Sequence, residues 1–78
     1  GMTIIPFELE ETAQISLKVY DVSGRVVNEL MTGEKPAGMY HIEWDGKNAL
    51  GINVSSGMYI YSLQSGENKI FNKLLYLK

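Results

Sequence analysis

The chain contains no cysteine and only one histidine, His41, among its 78 residues. Because there is no thiol, disulfide bonds cannot stabilise the fold and cysteine-ligated metal sites are excluded. A single histidine also excludes a pair of histidine ligands, and His41 is expected to be a solvated side chain beside Glu43. The scarcity of nucleophiles and bases predicts a protein that is not an enzyme and has no catalytic residue, metal or cofactor.

The chain also lacks a surplus of positive charge and a long apolar run. Positions 1–39 carry six acidic and three basic residues, and positions 40–78 carry three and four. Without a basic region, nucleic-acid binding is not expected. No apolar run approaches the ~20 residues that span a bilayer, so we expect no membrane insertion. The acidic residues Glu8, Glu10 and Glu11 match no calcium-loop spacing.

The length of the chain and its first residues bound the domain organisation. A chain of this size has room for one core, so we predict one domain over residues 3–78. The N-terminus has no basic region followed by an apolar core, so the chain as given is not expected to export itself. Gly1 and Met2 are expected to be a cloning remnant, and because Thr3 enters directly into a candidate strand we expect a module excised from a larger protein.

Apolar residues recur with a period of two, and no window keeps the 3.6-residue period of an amphipathic helix. The first candidate strand places Ile5, Phe7 and Leu9 on one face, and its Pro6 predicts an edge strand. Six or seven such strands, separated by regular turn signals, predict an all-β fold. We expect a small antiparallel β-sandwich of the immunoglobulin-like class.

Glycine and aspartate residues mark the expected turns. Residues 17–27 form two alternating runs that meet at Ser23 and Gly24, which predicts a β-hairpin. Aspartate at a strand end accepts hydrogen bonds from nearby backbone N–H groups, and glycine adopts backbone angles that cost other residues energy. The predicted turn-forming residues are Asp21, Gly24, Asp45, Gly46 and Gly57.

Two longer connections follow the hairpin. Residues 34–38 are expected to form a loop, because Pro36 and Gly38 interrupt regular secondary structure. Residues 47–57 show little periodicity beyond Ile52 and Val54, so we predict a long connection that crosses from one sheet to the other.

Most aromatic residues lie at positions expected to face the core. Their burial supplies apolar area that a small sandwich needs, and the expected core aromatics are Tyr40, Trp44, Tyr59 and Tyr61. Only Tyr20 and Tyr76 are expected to face outward, where exposed rings can stack against sugars. Carbohydrate binding is therefore an alternative to a purely structural role.

The last candidate strand, residues 69–78, is apolar on both faces. Both faces cannot be buried in a thin sandwich, so one is expected to be offered to a partner. An exposed edge strand also predicts a monomer or a weak dimer. The two faces are Phe71, Leu75 and Leu77 on one side, and Ile70, Leu74 and Tyr76 on the other.

Five short motifs in order give the chain a family resemblance. They are TIIPFEL from Thr3, VYDVSGR from Val19, AG at Ala37 followed by WDG at Trp44, SGMY from Ser56, and KLLYLK from Lys73. Together they resemble the C-terminal sorting domains of type IX secretion and the similar immunoglobulin-like domain of the flagellar hook-capping protein. The WDG motif is more typical of the hook-capping branch.

The resemblance to sorting domains implies a non-enzymatic sorting and anchoring module that ends a secreted bacterial protein. Its implied partners are the outer-membrane secretion machinery and a covalently linked upstream cargo domain. It implies transit through the periplasm and a final place outside the cell or on its surface. The residues expected to be offered for recognition are Arg25 in the hairpin and Lys73, Leu74, Leu75, Tyr76, Leu77 and Lys78 in the last strand.

The alternative function is structural. In that interpretation the chain is an immunoglobulin-like spacer or interaction domain of a multidomain secreted hydrolase or of a hook-capping-like assembly. The three cations Arg25, Lys73 and Lys78 are then ordinary solvated residues at strand edges.

Overall fold

The computed structural model describes residues 1–78, and all of its regular structure is β-strand. The strands are β1 (Thr3–Leu9), β2 (Ala13–Tyr20), β3 (Val26–Lys35), β4 (Gly38–Trp44), β5 (Gly57–Ser65) and β6 (Asn68–Tyr76). They form a two-stranded sheet of β1 and β4 and a four-stranded sheet in the order β3-β2-β5-β6, with every pair antiparallel. The predicted all-β sandwich is confirmed. No helix with the length and hydropathy of a membrane span is present.

Period-two alternation explains which side chains form the core. In β2 the residues Ile15, Leu17 and Val19 are buried, and the intervening residues are partly exposed. The opposite sheet contributes Ile5 and Trp44, both with no exposed surface. The main apolar cluster consists of Ile5, Leu17, Val19, Trp44, Tyr59, Leu63, Leu74 and Tyr76. As expected, β1 is an edge strand, because Pro6 lacks an N–H and β1 pairs with β4 alone.

Strand β3 is longer than the sequence pattern predicts. Residues 34–38 were expected to form a loop, but Glu34 and Lys35 belong to β3 and pair with Gln14 and Ala13. The loop is reduced to Pro36 and Ala37, and Gly38 begins β4. The prediction was wrong because ladder hydrogen bonds to β2 extend the strand across residues whose own β-propensity is low.

The connection between β4 and β5 crosses from the two-stranded to the four-stranded sheet, as predicted. The Asn48 side chain organises it, since its Oδ1 accepts hydrogen bonds from the backbone N–H groups of Leu50 and Ile52, each at 3.0 Å. The Ala49 N–H donates to the Val27 carbonyl of β3 at 3.0 Å. The connection is therefore a folded loop that docks against β3.

Candidate functional site

Three aromatic rings from three strands close one end of the sandwich. Trp44 at the end of β4 is fully buried, and its ring lies 5.1 Å from that of Tyr59 in an edge-to-face arrangement. The Tyr76 ring of β6 is also 5.1 Å from Trp44, at an interplanar angle of 48°. Such pairs add about 0.5–1.5 kcal/mol beyond their burial. We call Trp44, Tyr59 and Tyr76 the aromatic cluster.

The polar atoms of the aromatic cluster are satisfied by the adjoining loop. The Trp44 Nε1–H donates to the Lys47 carbonyl at 2.9 Å, and the Tyr59 hydroxyl donates to the Ser55 carbonyl at 2.7 Å. The Tyr76 hydroxyl donates to the carbonyl of Asp45 at 3.4 Å. No buried side-chain polar atom in the chain lacks a partner. The WDG and SGMY motifs are thus used to close the core.

The glycine of the WDG motif is required by both backbone angle and space. Gly46 has a φ of +74°, a conformation that favours glycine. It is also buried, and a Cβ there would overlap the ring of Tyr76. The side chain of Asp45 accepts a hydrogen bond from the Lys47 N–H at 3.2 Å, which fixes the turn.

The outward position expected for Tyr76 is wrong. The residue is 3% exposed, because its ring fills the space above Gly46 beside Trp44. Tyr20 does lie on the outer face of its sheet, but it is half-buried and its hydroxyl is 3.1 Å from Ser62 Oγ. One of the two rings expected to be available for stacking against a sugar is therefore inside the core.

The hairpin turn between β2 and β3 is organised by one carboxylate. Oδ1 of Asp21 accepts hydrogen bonds from the Ser23 hydroxyl at 2.5 Å, the Ser23 N–H at 2.9 Å and the Arg25 N–H at 3.1 Å. The Ser23 hydroxyl is the largest cause that lowers the pKa of Asp21; desolvation opposes it, and the two backbone donors and the Arg25 charge lower the pKa further. Gly24 has a φ of +90° and completes the turn.

Arg25 lies apart from the last strand. Its Nε is 3.4 Å from Asp21 Oδ2, and its side chain is 85% exposed. It borders an open cleft of about 520 Å³ beside the 45–55 loop, together with Val26, Leu50 and Tyr59. The structure does not bring Arg25 together with the predicted recognition residues of β6.

The predicted recognition residues of the last strand divide into two sets. Lys73, Leu75, Leu77 and Lys78 are exposed, whereas Leu74 and Tyr76 are buried at 6% and 3%. Because side chains alternate between the faces of a strand, Leu74 and Tyr76 point into the core and cannot be presented by the folded domain. This corrects the expectation for those two residues, and recognition by the exposed set stays a prediction.

The outer face of the four-stranded sheet carries an apolar surface that the sequence pattern identified only in part. Register places Phe71 opposite Ser62, which is itself opposite Lys18. Phe71 is 59% exposed, yet Ser62 between the Tyr20 and Phe71 rings is only 1% exposed. The Lys69 ammonium lies 5.3 Å from the centre of the Phe71 ring. We call the exposed residues Met58, Phe71, Leu75 and Leu77 the outer apolar surface.

The sequence pattern did not identify Met58 as a member of this surface or Lys69 as a neighbour of its Phe71. The signal that could have found them is the pairing of β5 with β6, in which Met58 is opposite Leu75 and Gln64 is opposite Lys69. Once the turn at Ser65 to Asn68 fixes that register, period-two alternation places the two pairs, Met58 with Leu75 and Gln64 with Lys69, on the same face of the sheet.

The other end of the sandwich is open. A cleft of about 630 Å³ lies between the end of β1 and the start of β6, and its walls include Leu9, Leu63 and Ile70. Glu8, Glu10, Glu11 and Glu67 border it, but no group of three or more acidic or histidine side chains is placed to hold a metal ion.

Comparisons with known proteins agree with this geometry. Residues 2–69 match the family model described as the FlgD Ig-like domain. Basal-body rod modification protein FlgD of Salmonella typhimurium is 40% identical over 53 residues, which are 67% of this chain and 23% of that protein. The protein of the same name from Salmonella typhi matches equally well. The crystal structure of FlgD from P. aeruginosa has a TM-score of 0.74 and 26% identity.

The structural match covers 96% of this chain and 58% of the P. aeruginosa chain. The chain therefore spans only a part of these relatives, 23% of the length of the Salmonella proteins. The family model, by contrast, extends over most of the present sequence and includes the hairpin, the WDG loop and the SGMY strand. The chain belongs to the family of FlgD Ig-like domains.

Proposed function

We propose that this domain is a non-enzymatic, structural immunoglobulin-like module of a hook-capping-like assembly. The observation that carries the proposal is the match of residues 2–69 to the FlgD Ig-like family. It favours the structural alternative over a sorting signal for type IX secretion. The domain's task is then to hold its neighbours in place through a rigid, folded surface.

The distribution of exposed side chains supports a contact role. The polar atoms of the aromatic cluster are hydrogen-bonded to the adjoining loop, so those atoms are not free to bind a ligand. The outer apolar surface is exposed, with Met58 at 46%, Phe71 at 59%, Leu75 at 55% and Leu77 at 62%. A group of exposed apolar residues on one sheet face of a small soluble domain supports a protein contact. We place the contact with the rest of the assembly on this surface.

A domain exchange tests the proposal. Residues 3–78 would replace the immunoglobulin-like region of Salmonella FlgD, and swimming in soft agar and hook morphology would be measured in a strain that lacks its own FlgD. We expect motility to be restored at least in part. A chimera that is present at normal levels yet leaves the cells non-motile contradicts the proposal.

Two matched variants locate the contact. Leu75→Asp places a charge on the outer apolar surface and is expected to abolish the restored motility. Ile52→Asp changes a residue of similar exposure, 59%, in the 45–55 loop and is expected to have no effect. Equal behaviour of the two variants would place the contact elsewhere on the domain.

Sorting through type IX secretion is the second candidate function. The observation that favours it is the exposure of Lys73, Leu75, Leu77 and Lys78 along the last strand. In this case the partners are the outer-membrane machinery and an upstream cargo domain, and the cargo reaches the cell surface or the medium. The same outer surface serves either role, so only the host and the cargo distinguish them.

A fluorescent fusion separates the two functions. Residues 3–78 would follow a periplasm-directed fluorescent protein in a type IX-competent bacterium and in a strain without the translocon. Release that depends on the translocon supports sorting, and retention in both strains with the domain folded supports the structural role. Leu77→Asp is a better probe than removal of residues 74–78, because that deletion also removes the core residues Leu74 and Tyr76.

A further inference from the structure

The four free strand edges of the sandwich are protected unequally. Strand β1 contains Pro6, and the pairing of β3 with β2 has two register shifts, both of which disfavour pairing with another strand. Strand β4 is regular but has only seven residues. Strand β6 has nine residues in a continuous register with β5 and contains neither proline nor a bulge. It is the longest regular edge in the molecule.

The backbone groups that β6 offers at this edge can be identified. The Thr3 hydroxyl of β1 donates to the Leu75 carbonyl at 3.2 Å, so that carbonyl points away from β5. In an antiparallel ladder the N–H and C=O groups of alternate residues point the same way. The N–H and C=O groups of Lys69, Phe71 and Lys73 therefore also face outward, and only Leu75 has a partner from β1.

Self-complementarity restricts how two β6 edges could pair. In an antiparallel register centred on Lys69, that residue faces Lys69 of the second copy, and in one centred on Phe71 it faces Lys73 of the second copy. Both registers place like charges directly opposite each other, which is destabilising. A register centred on Asn72 would pair Leu75 with Lys69 of the second copy, but the Leu75 carbonyl already accepts a hydrogen bond from the Thr3 hydroxyl. A register centred on Ile70 avoids both conflicts.

The Ile70 register also matches charge and shape. It places Lys69 opposite Phe71 of the second copy, and it brings Glu67, in the turn immediately before β6, towards Lys73 of the second copy at both ends. Lys69 already lies 5.3 Å from the Phe71 ring of its own strand, so a second aromatic ring extends an existing cation–π contact. On the inner face, Ile70 meets Ile70 of the second copy.

We propose that two copies of this chain associate through antiparallel pairing of their β6 edges centred on Ile70, which joins their four-stranded sheets into one. Ile70 is 52% exposed at the open end of the sandwich, where the opposite sheet does not reach it. Pairing shields this side chain and satisfies the outward backbone groups of Lys69 and Phe71. The Thr3–Leu75 contact and the outer apolar surface near Leu75 and Leu77 stay available.

Sedimentation equilibrium over a concentration series tests the association. The wild-type chain, of 8.7 kDa, is expected to approach twice that mass at high concentration. Lys73→Glu and Glu67→Lys each create like-charge pairs at both ends and are expected to weaken the dimer about tenfold. The double variant restores opposite charges and is expected to recover the wild-type dissociation constant. Glu34→Lys on β3 is the matched control and leaves it unchanged.

Amide hydrogen exchange supplies a second readout that does not depend on the charged variants. The N–H groups of Lys69 and Phe71 are expected to become protected as the concentration rises. Those of Ile70 and Asn72 face β5 and are expected to be protected at every concentration. A chain that is monomeric at all concentrations, a double variant as weak as the single ones, or protection that appears on another strand overturns the proposal.

Discussion

The two ends of the sandwich differ in how completely their side chains are packed and covered. At one end Trp44, Tyr59 and Tyr76 pack together, and the loop after β4 accepts hydrogen bonds from all three rings. At the other end a cleft of about 630 Å³ separates β1 from β6, and Ile70 is half exposed. The connections between strands account for the difference, because residues 45–56 fold over the closed end, whereas the open end has only the short connections of residues 10–12, 36–37 and 66–67. The WDG and SGMY motifs lie at the closed end, while the unpaired outward backbone groups of Lys69 and Phe71 lie towards the open end.

The largest expected effect comes from breaking the closed end. Trp44→Ala removes the fully buried ring that both tyrosines contact and is expected to cost about 3–5 kcal/mol in the free energy of unfolding. Ile70→Ala at the open end is expected to cost about 0.5 kcal/mol or less at low protein concentration. Urea denaturation followed by circular dichroism measures both. Similar losses at the two ends would contradict the comparison.

Adjacent leucines in β6 sharpen the comparison within one strand. Leu74 is 6% exposed and belongs to the main cluster, so Leu74→Ala is expected to lose about 2–5 kcal/mol. Leu75 is 55% exposed on the opposite face, so Leu75→Ala is expected to stay within about 0.5 kcal/mol of the wild type. Equal losses in urea titrations would mean that the outer face is covered in the isolated domain.

Two glycines, one at each end, separate backbone strain from steric overlap. Gly46 and Gly66 have φ values of +74° and +60°, so alanine at either is expected to cost about 1–2 kcal/mol. Gly46→Ala adds overlap with the Tyr76 ring, worth about 1–3 kcal/mol more, whereas Gly66 has open space around it. The measurement is the difference between the two unfolding free energies. Equal losses in the two variants would show that the Tyr76 ring can move aside without a loss of unfolding free energy.

The smallest effect is expected at the hairpin and depends on pH. Since folding lowers the pKa of Asp21, its stabilising effect is present above the unfolded value of about 3.9 and is lost as the pH falls through the folded pKa. The difference in melting temperature between the wild type and Asp21→Asn should therefore shrink below about pH 4. Ser23→Ala removes the main hydrogen bond and should move the Asp21 pKa back towards its ordinary value, as measured by NMR titration. An unchanged pKa would contradict this assignment.

Local pattern was sufficient for the strands and the hairpin. The alternation of Ile15, Leu17 and Val19 and the turn at Gly24 depend on neighbours in sequence, so the fold class followed from them. The length of β3 and the burial of Tyr76 did not follow from local pattern, because each depends on a residue distant in sequence. Glu34 pairs with Gln14, and the Tyr76 ring packs over Gly46. Alternation divided β6 into two faces correctly but could not say which face was buried. That choice depends on where the smaller sheet lies.

The pairing of β1 has a kinetic consequence. Its partner is β4, from Leu9 opposite Gly38 to Thr3 opposite Trp44, so no neighbouring hairpin can hold β1 in place. During synthesis Ile5 can approach Leu17 and Val19 of β2 early, but β1 has no strand to pair with until β4 has left the ribosome. The entropy of closing that long segment must be paid before the contacts form, which places folding in a range of about milliseconds to seconds. A chain emerging from its N-terminus therefore carries an unpaired apolar strand until more than half of the domain has been made.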